Sequence, residues 1–425
     1  MSQNRFNISE EQLTQLAERY DTPLFVYDVD QIRQNARAFV ETFKQYDLDF
    51  QVAYASKAFS SIAMLQVAKQ EDMSLDVVSE GELHTAIEAG YPMQRVHVHG
   101  NNKSRTVLEM AVENQVGCIV IDNFFEMALL EDVLQEKGQT IDALIRITPG
   151  IEAHTHDYIL TGQEDSKFGF DLLSGQAEQA LNHLMNHESI HLQGVHSHIG
   201  SQIFETTGFE MAVEKVFDAL KLWYDRYQFE ARVVNLGGGF GIQYTKDDDP
   251  LPLSQYVHTL VSAVKSSASN HELKIPEIWI EPGRSIVGEA AVTIYEVGAI
   301  KEIPNVRKYV SVNGGMTDNI RPALYDAEYE ATILNKSDQP IEETVAIAGQ
   351  SCETGDMLIW DLDVPTIETG DLLVVYSTGA YGYAMASHYN RFPKAAVVFV
   401  ENGNDQLVIK RETVQDLTRF DMSYE

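Results

Sequence analysis

The sequence is poor in cysteine, in basic residues and in long apolar runs, and each shortage removes a class of function. Two cysteines in 425 residues are too few for a disulfide framework and fit a reducing cytoplasm. Cys118 stands inside the apolar run GCIVID and reads as core, whereas Cys352, in the polar stretch GQSCETGD, reads as the exposed thiol. Lysine and arginine number 31 against 64 aspartates and glutamates, a formal charge of −33. Such a chain repels nucleic acid and anionic membrane surfaces, and its scattered acidity reads as a solvated surface. Nowhere do 18 apolar residues run together, and the opening MSQNRFNISEEQLTQLAERY is polar and amphipathic with no apolar signal core. Neither secretion nor membrane insertion is expected, and a cytoplasmic protein is. The sequence shows no internal repeat, low-complexity tract or long linker.

What is present is an ordinary globular balance, 44% hydrophobic and 9% aromatic, in a chain long enough for two or three domains. From about residue 30 to 285, short β-branched runs alternate with longer amphipathic ones. Eight strands are predicted, at 50–54, 74–78, 95–99, 117–121, 142–147, 191–197, 232–236 and 276–281. Helical patterns such as SSIAMLQVAKQ, EGELHTAIEAG, FEMALLEDVLQEKG and FEMAVEKVFDALKLWYDRY separate them. Eight such units match a (β/α)8 barrel, with a doubly wound open sheet as the alternative. Beyond about 290 the period becomes two, as in VTIYEVGAI and DLLVVYSTG, and ENGN marks a hairpin turn. This predicts a second, all-β, Greek-key-like domain. TPLFVYD, at 22–28, is strand-like and is assigned to it, so the expected domains are a barrel at 30–289 and a discontinuous β domain at 1–29 and 290–425.

Catalytic groups in such barrels gather at the carboxyl ends of strands, and Lys57, Asp76, His99, His198, Gly237 to Gly239 and Glu281 all fall there. Lys57, in YASKAF, follows the apolar strand FQVAY. A lysine there is either a solvated cap or phosphate contact, or, where shielding disfavours its ammonium form, a nucleophile toward carbonyl carbon. LGGGFG offers backbone amides to a phosphate, or simply makes a tight turn. It lacks the dinucleotide fingerprint. Glu281, in IEPGRSIVG, needs a cationic partner, either Arg284 or a protonated ring nitrogen. His196 and His198, in VHSHIGSQ, alternate and face opposite ways. With no cysteine or carboxylate to complete a set, no metal is expected, and stacking or hydrogen bonding is the role for one ring.

YASKAF, DVVSEGE, EAHTHDYILTGQEDSKFGF, HSHIGSQ, NLGGGFG, EPGR, DNIRPALY, SCETGD and GAYG together resemble the diaminopimelate decarboxylases, within the alanine-racemase-like group of pyridoxal 5′-phosphate decarboxylases. The resemblance runs from about residue 20 to 400. The EAHTHDYILTGQEDSKFGF block and SCETGD carry its specificity, while Lys57, the glycines and EPGR are shared more widely. It implies decarboxylation of meso-2,6-diaminopimelate to L-lysine, the last step of lysine biosynthesis, through a Schiff base. Relatives acting on arginine, ornithine or carboxynorspermidine are the alternative, and a regulator that has lost catalysis is a second one.

By that resemblance Lys57 would hold the cofactor covalently and His198 would stack on its ring. Gly237, Gly238 and Gly239, with Ser201, Gly283 and Arg284, would bind its phosphate, and Glu281 would pair with the pyridine nitrogen. Arg321 and Tyr325, with Arg284, would hold the substrate's distal carboxylate, and Glu353 its distal ammonium. Tyr381 would touch cofactor and substrate, and Cys352 would donate a proton. Cys352 and Glu353 would reach the neighbouring subunit's site in a homodimer. The sequence departs from the family at Glu80, where glycine is common, and at Phe59, where asparagine is. Asp76 and Glu82 have no role assigned beyond bracing, and His84, His97 and His99 are expected to be structural.

Overall fold

The computed structural model describes residues 6–150 and 166–425. The chain divides into two units. One holds residues up to Ile32, Ile242–Asp249 and Ile286–Glu425; the other holds Arg33–Gly241 and Pro250–Ser285.

The second unit is a closed parallel barrel. Its strands are Phe50–Ala55, Ser74–Val77, Val96–Val98, Cys118–Ile121, Ile141–Thr148, Ile190–His196, Val233–Asn235 and Glu277–Ile280. Each pairs with the next, and the eighth returns to the first through Ile278 opposite Phe50. All eight lie where the periodicity predicts strands, and closure excludes the doubly wound alternative. Cys118–Ile121 is buried throughout, as expected of a parallel strand covered on both faces. Cys118, Val120, Leu144, Val233 and Trp279 pack as one cluster, and the His97 ring stacks on Trp279 at 4.2 Å.

Four of the turns from strand to helix use the same device. Ser61, Ser79, Ser104 and Asn123 each accept a backbone N–H of the first helical turn, a cap worth about 1 kcal/mol. A buried cation adds a longer-range tie. Lys103 Nζ donates to Gly100 O at 2.8 Å, Val120 O at 2.7 Å and Glu126 Oε1 at 2.8 Å. With all three protons bonded, the pair is tolerated in the interior, and removing one partner would cost about 3–5 kcal/mol.

The first unit is mostly sheet, with the helix Glu10–Tyr20 and the short helix Arg321–Tyr325. Strand order is Met357–Val364, Glu343–Ala348, Arg307–Val312, Ala291–Ile303, Leu24–Asp28, Ala396–Glu401, Asn404–Ile409, with Leu372–Val375 also pairing Ala291–Ile303 and Ala331–Ile333. Leu24–Asp28 is antiparallel to Ala291–Ile303 and parallel to Ala396–Glu401. The ENGN turn closes its hairpin with Glu401 opposite Asn404 and positive φ at Asn402 and Gly403. Residues 242–249, which the sequence reading keeps in the barrel, belong here because Ile242 and Tyr244 bury their side chains with Tyr295, Val310 and Ile347.

Candidate active site

In the barrel unit, five strand ends bring acids, imidazoles and amides together. The first strand stops at Ala55, and Lys57 follows in the turn Ser56–Ala58, which Tyr54 ties back by donating to Phe59 O at 2.8 Å. Ser56, Ala58 and Phe59 are fully buried but Lys57 is exposed. The shielding invoked to free its amine is therefore not supplied by the described chain.

Glu281 follows the eighth strand and is buried. Its Oε1 accepts from Asn235 Nδ2 at 2.6 Å and lies 3.0 Å from His99 Nε2; its Oε2 lies 3.3 Å from His196 Nε2. His99 Nε2 is in turn 3.8 Å from Asp76 Oδ1. All of these side chains are buried, so their charges must balance among themselves. Burial works against ionisation of Glu281, but His99 and His196 outweigh it and hold the carboxyl well below its usual range. Burial would likewise lower His99, yet Asp76 and Glu281 hold it up. His196 is driven by burial down to about 4 and His97 to about 3. Burial also raises Asp76, partly offset by His99. The cluster thus pairs an ionised Glu281 with one imidazole that favours its cation and two that stay neutral.

This corrects one sequence expectation and adds to another. His99, expected to be structural, stands between two carboxylates. A carboxylate does complete a set with histidine, since donor atoms of His99, His196 and Glu281 lie within 4.8 Å of one another. The Glu281 oxygens are met there by N–H donors, the work a buried carboxylate requires in any case. The barrel rule had marked His99 by its place at a strand end, but alternation along one strand cannot reveal a neighbour on the eighth.

His198 and the glycines form a second group in the same unit. Gly238 N donates to His198 Nδ1 at 3.2 Å, which leaves the His198 proton on Nε2. Burial first, and then the charge of Lys57, lower His198 well below its ordinary value, so its ring is neutral. A Cβ at Gly238 would stand 2.2 Å from Glu281 O, and one at Gly239 2.3 Å from Gly200 O. These glycines let strand ends approach closely. The amides of Gly237 and Gly238 are already donated, to Asn235 Oδ1 and His198 Nδ1. Arg284 donates to Ser201 Oγ at 3.0 Å, and Gly283 fits against Ala55. Glu82 accepts from Val78 N at 2.7 Å while Ser79 accepts from Glu82 N; it caps its helix.

In the sheet unit, Arg321 is buried, donates to Tyr329 OH at 2.8 Å and lies over the Tyr244 ring at 4.8 Å. Burial would lower its guanidinium, but Tyr244 and Tyr329 outweigh that and keep it charged. Tyr381 is near enough to act on Arg321 electrostatically and has a left-handed backbone, φ 60°. Tyr325 is half-buried. Cys352 and Glu353 are exposed, as the sequence expects of Cys352, and Cys118 is buried. Their loop hangs on Asp356. Its Oδ1 accepts from Met316 N at 2.6 Å and its Oδ2 from Ser351 N at 2.8 Å, while Asn390 Oδ1 accepts from Cys352 N at 2.7 Å. Tyr244 and Tyr329 were missed because no local pattern distinguishes them, and Asp356, the last residue of SCETGD, is marked by the motif but not by its place as a frame. Residues 152–165 of the EAHTHDYILTGQEDSKFGF block lie outside the described residues.

Residues 29–288 match the family model for the pyridoxal binding domain of pyridoxal-dependent decarboxylases. The chain is 60% identical over 409 residues to the diaminopimelate decarboxylase of Bacillus subtilis (strain 168), covering 96% of this chain and 93% of that one. It is 59% identical to the diaminopimelate decarboxylase of Bacillus methanolicus, covering 94% and 92%. The crystal structure of the diaminopimelate decarboxylase from M. jannaschii in co-complex with L-lysine superposes with a TM-score of 0.91 at 32% identity, over 97% of this chain and 94% of that one. By the match of its barrel residues to that family model and its identity to these enzymes over nearly the whole chain, the chain belongs to the diaminopimelate decarboxylases, within the pyridoxal-dependent decarboxylases.

Proposed function

We propose that this chain decarboxylates meso-2,6-diaminopimelate to L-lysine and CO2, as a cytoplasmic homodimer with shared active sites, and that this is the last step of lysine biosynthesis. The observation that carries the reading is Glu281, an ionised carboxylate buried among imidazoles at the end of the eighth strand. Such a group suits a protonated ring nitrogen. The rest of the barrel end fits a phosphorylated pyridine aldehyde too: an exposed amine at Lys57, a neutral imidazole face at His198, and close-packed glycines beside a cationic Arg284.

When bound, pyridoxal phosphate supplies the electron sink for loss of CO2. Lys57 would hold it through the amine, and His198, being neutral, would lie against the ring without opposing its positive charge. Glu281 would keep the proton on the ring nitrogen. Ser201, Gly239, Gly283 and Arg284 would hold the phosphate, while Gly237 and Gly238, their amides engaged, would shape the cradle.

In the sheet unit, Arg321 is a cation held ready by two tyrosines, and with Tyr325 it would take the distal carboxylate. Glu353 would take the distal ammonium, and Tyr381 would touch both cofactor and substrate. An Arg and a Glu at the distal end reject lysine, ornithine and arginine, since one charge would be left unmatched. Once CO2 has left, the carbon needs a proton, and the Cys352 thiol would deliver it. Cys352 and Glu353 are exposed on their own chain, which supports their serving a second subunit.

A substrate panel tests the reaction. CO2 release is expected from meso-diaminopimelate and not from ornithine, arginine or carboxynorspermidine; release from one of these instead would overturn the assignment. Mixing Lys57→Ala with Cys352→Ala subunits tests the shared site. Mixed dimers should regain part of the activity, and no recovery counts against sharing.

A further inference from the structure

Glu281 is held from three sides by groups that no chemical role has claimed. Asn235 and His196 are ordinary neutral partners, at 2.6 and 3.3 Å. His99 differs because it stands between two buried acids, 3.0 Å from Glu281 Oε1 and 3.8 Å from Asp76 Oδ1. Its ring meets His196 edge-on at 5.0 Å, which limits its freedom to turn away. A carboxylate buried with a second carboxylate nearby would ordinarily take up a proton, since like charges in a dry site cannot both persist. A protonated Glu281 could no longer favour a proton on a ring nitrogen.

We propose that His99 is a positioning residue for the cofactor: by lying between Asp76 and Glu281 it keeps the Glu281 carboxylate aimed and ionised, so that a pyridine nitrogen is recognised in its protonated form. The inference rests on the reading of Glu281 as the partner of that nitrogen. It assigns to the VHVHG stretch a chemical function distinct from that of its neighbour: His97 stacks on Trp279 and donates to or accepts from Gln51 at 3.1 Å, whereas His99 acts through Glu281.

The test is a comparison of two ligands by equilibrium binding to the apoprotein, with no turnover involved. One is pyridoxal phosphate; the other is its 1-deaza analogue, in which carbon replaces the ring nitrogen. The parent protein should bind pyridoxal phosphate at least about tenfold more tightly than the analogue, and Glu281→Gln should abolish that ratio. His99→Phe should reduce the ratio about tenfold while leaving affinity for the analogue nearly unchanged. A merely structural histidine would weaken both ligands alike. Should His99→Phe fail to fold, His99→Gln, which keeps a donor and loses the charge, gives the same reading with a smaller fall. An undiminished ratio in the folded His99 variants, or equal weakening of both ligands, overturns the proposal. A parent protein that does not distinguish the two ligands would overturn the Glu281 reading instead, so the two failures are separable.

Discussion

The two units solve the problem of polar chemistry in opposite ways. In the barrel unit the charges are buried and compensate one another: Asp76, His99, His196, Asn235 and Glu281 are all out of solvent. In the sheet unit Arg321 is buried too, but Cys352 and Glu353 are exposed, and beneath them only their frame is buried, Asp356 with its two accepted amides. A buried cluster can fix a protonation state by itself, because low dielectric strengthens each interaction. An exposed loop can fix only position, and its electrostatics must wait for whatever covers it. The barrel unit therefore compensates its buried charges within itself, whereas the exposed loop of the sheet unit fixes only where Cys352 and Glu353 stand.

The sharpest way to break this contrast is Lys57→Ala. It should remove the visible chromophore of the loaded protein and reduce CO2 release by at least about 10⁴-fold, while the Glu281 cluster stays intact. A persisting borohydride-reducible adduct would place the carrier elsewhere. Cys352→Ala should come next, lowering kcat by roughly 10²-fold or more and altering KM far less, with the chromophore unchanged. An increase in KM alone would make Cys352 a binding group.

Asp356→Asn separates frame from chemistry in the sheet unit. It leaves one acceptor oxygen where two backbone amides are now accepted, one by each oxygen, so one of them loses its partner. A fall of about tenfold in kcat is expected, with cofactor affinity retained; unchanged kcat would show that the loop holds without the second acceptor.

The smallest effects lie in the pH dependence of stability, where the units should respond in opposite directions. Buried His97 titrates at about 3 when folded and near 6.5 when unfolded. The unfolded chain takes the proton first, so stability falls as pH drops from about 6.5 toward 3. Asp318, raised by burial to about 7, starts near 3.9 when unfolded. Here the folded state keeps its proton longer, so its contribution is fullest below about 3.9 and is lost as pH rises to 7. Thermal melts should show His97→Gln losing less stability on acidification than the parent. Asp318→Asn should gain a few degrees in Tm at pH 7.5, and the gain should narrow at pH 5. Parallel pH profiles for parent and variants would refute the contrast.

The barrel was legible because its signal is repetitive. Eight apolar runs separated by amphipathic ones leave few architectures, and the strand-end rule then selects Lys57, Glu281 and the glycines. The thiols were legible too, since GCIVID buries a cysteine and SCETGD exposes one. The premise that no carboxylate accompanies the histidines did not hold. His196 and His198 do part company, one turning to Glu281 and the other to Gly238, but the carboxylate near His196 comes from 85 residues further along.

By itself, then, the amino-acid sequence determined the periodicity, the barrel that follows from it, the motifs that place the chain in its family, and which residues stand at strand ends. Only closure of the barrel decided which of those ends are neighbours: it carried His99 from the third strand and Asn235 from the seventh onto a carboxylate that follows the eighth. The physical reason is that hydrophobic patterning is a local property with a period of a few residues. Compensation of a buried charge depends instead on atoms a few ångströms away in space, whatever their distance along the chain.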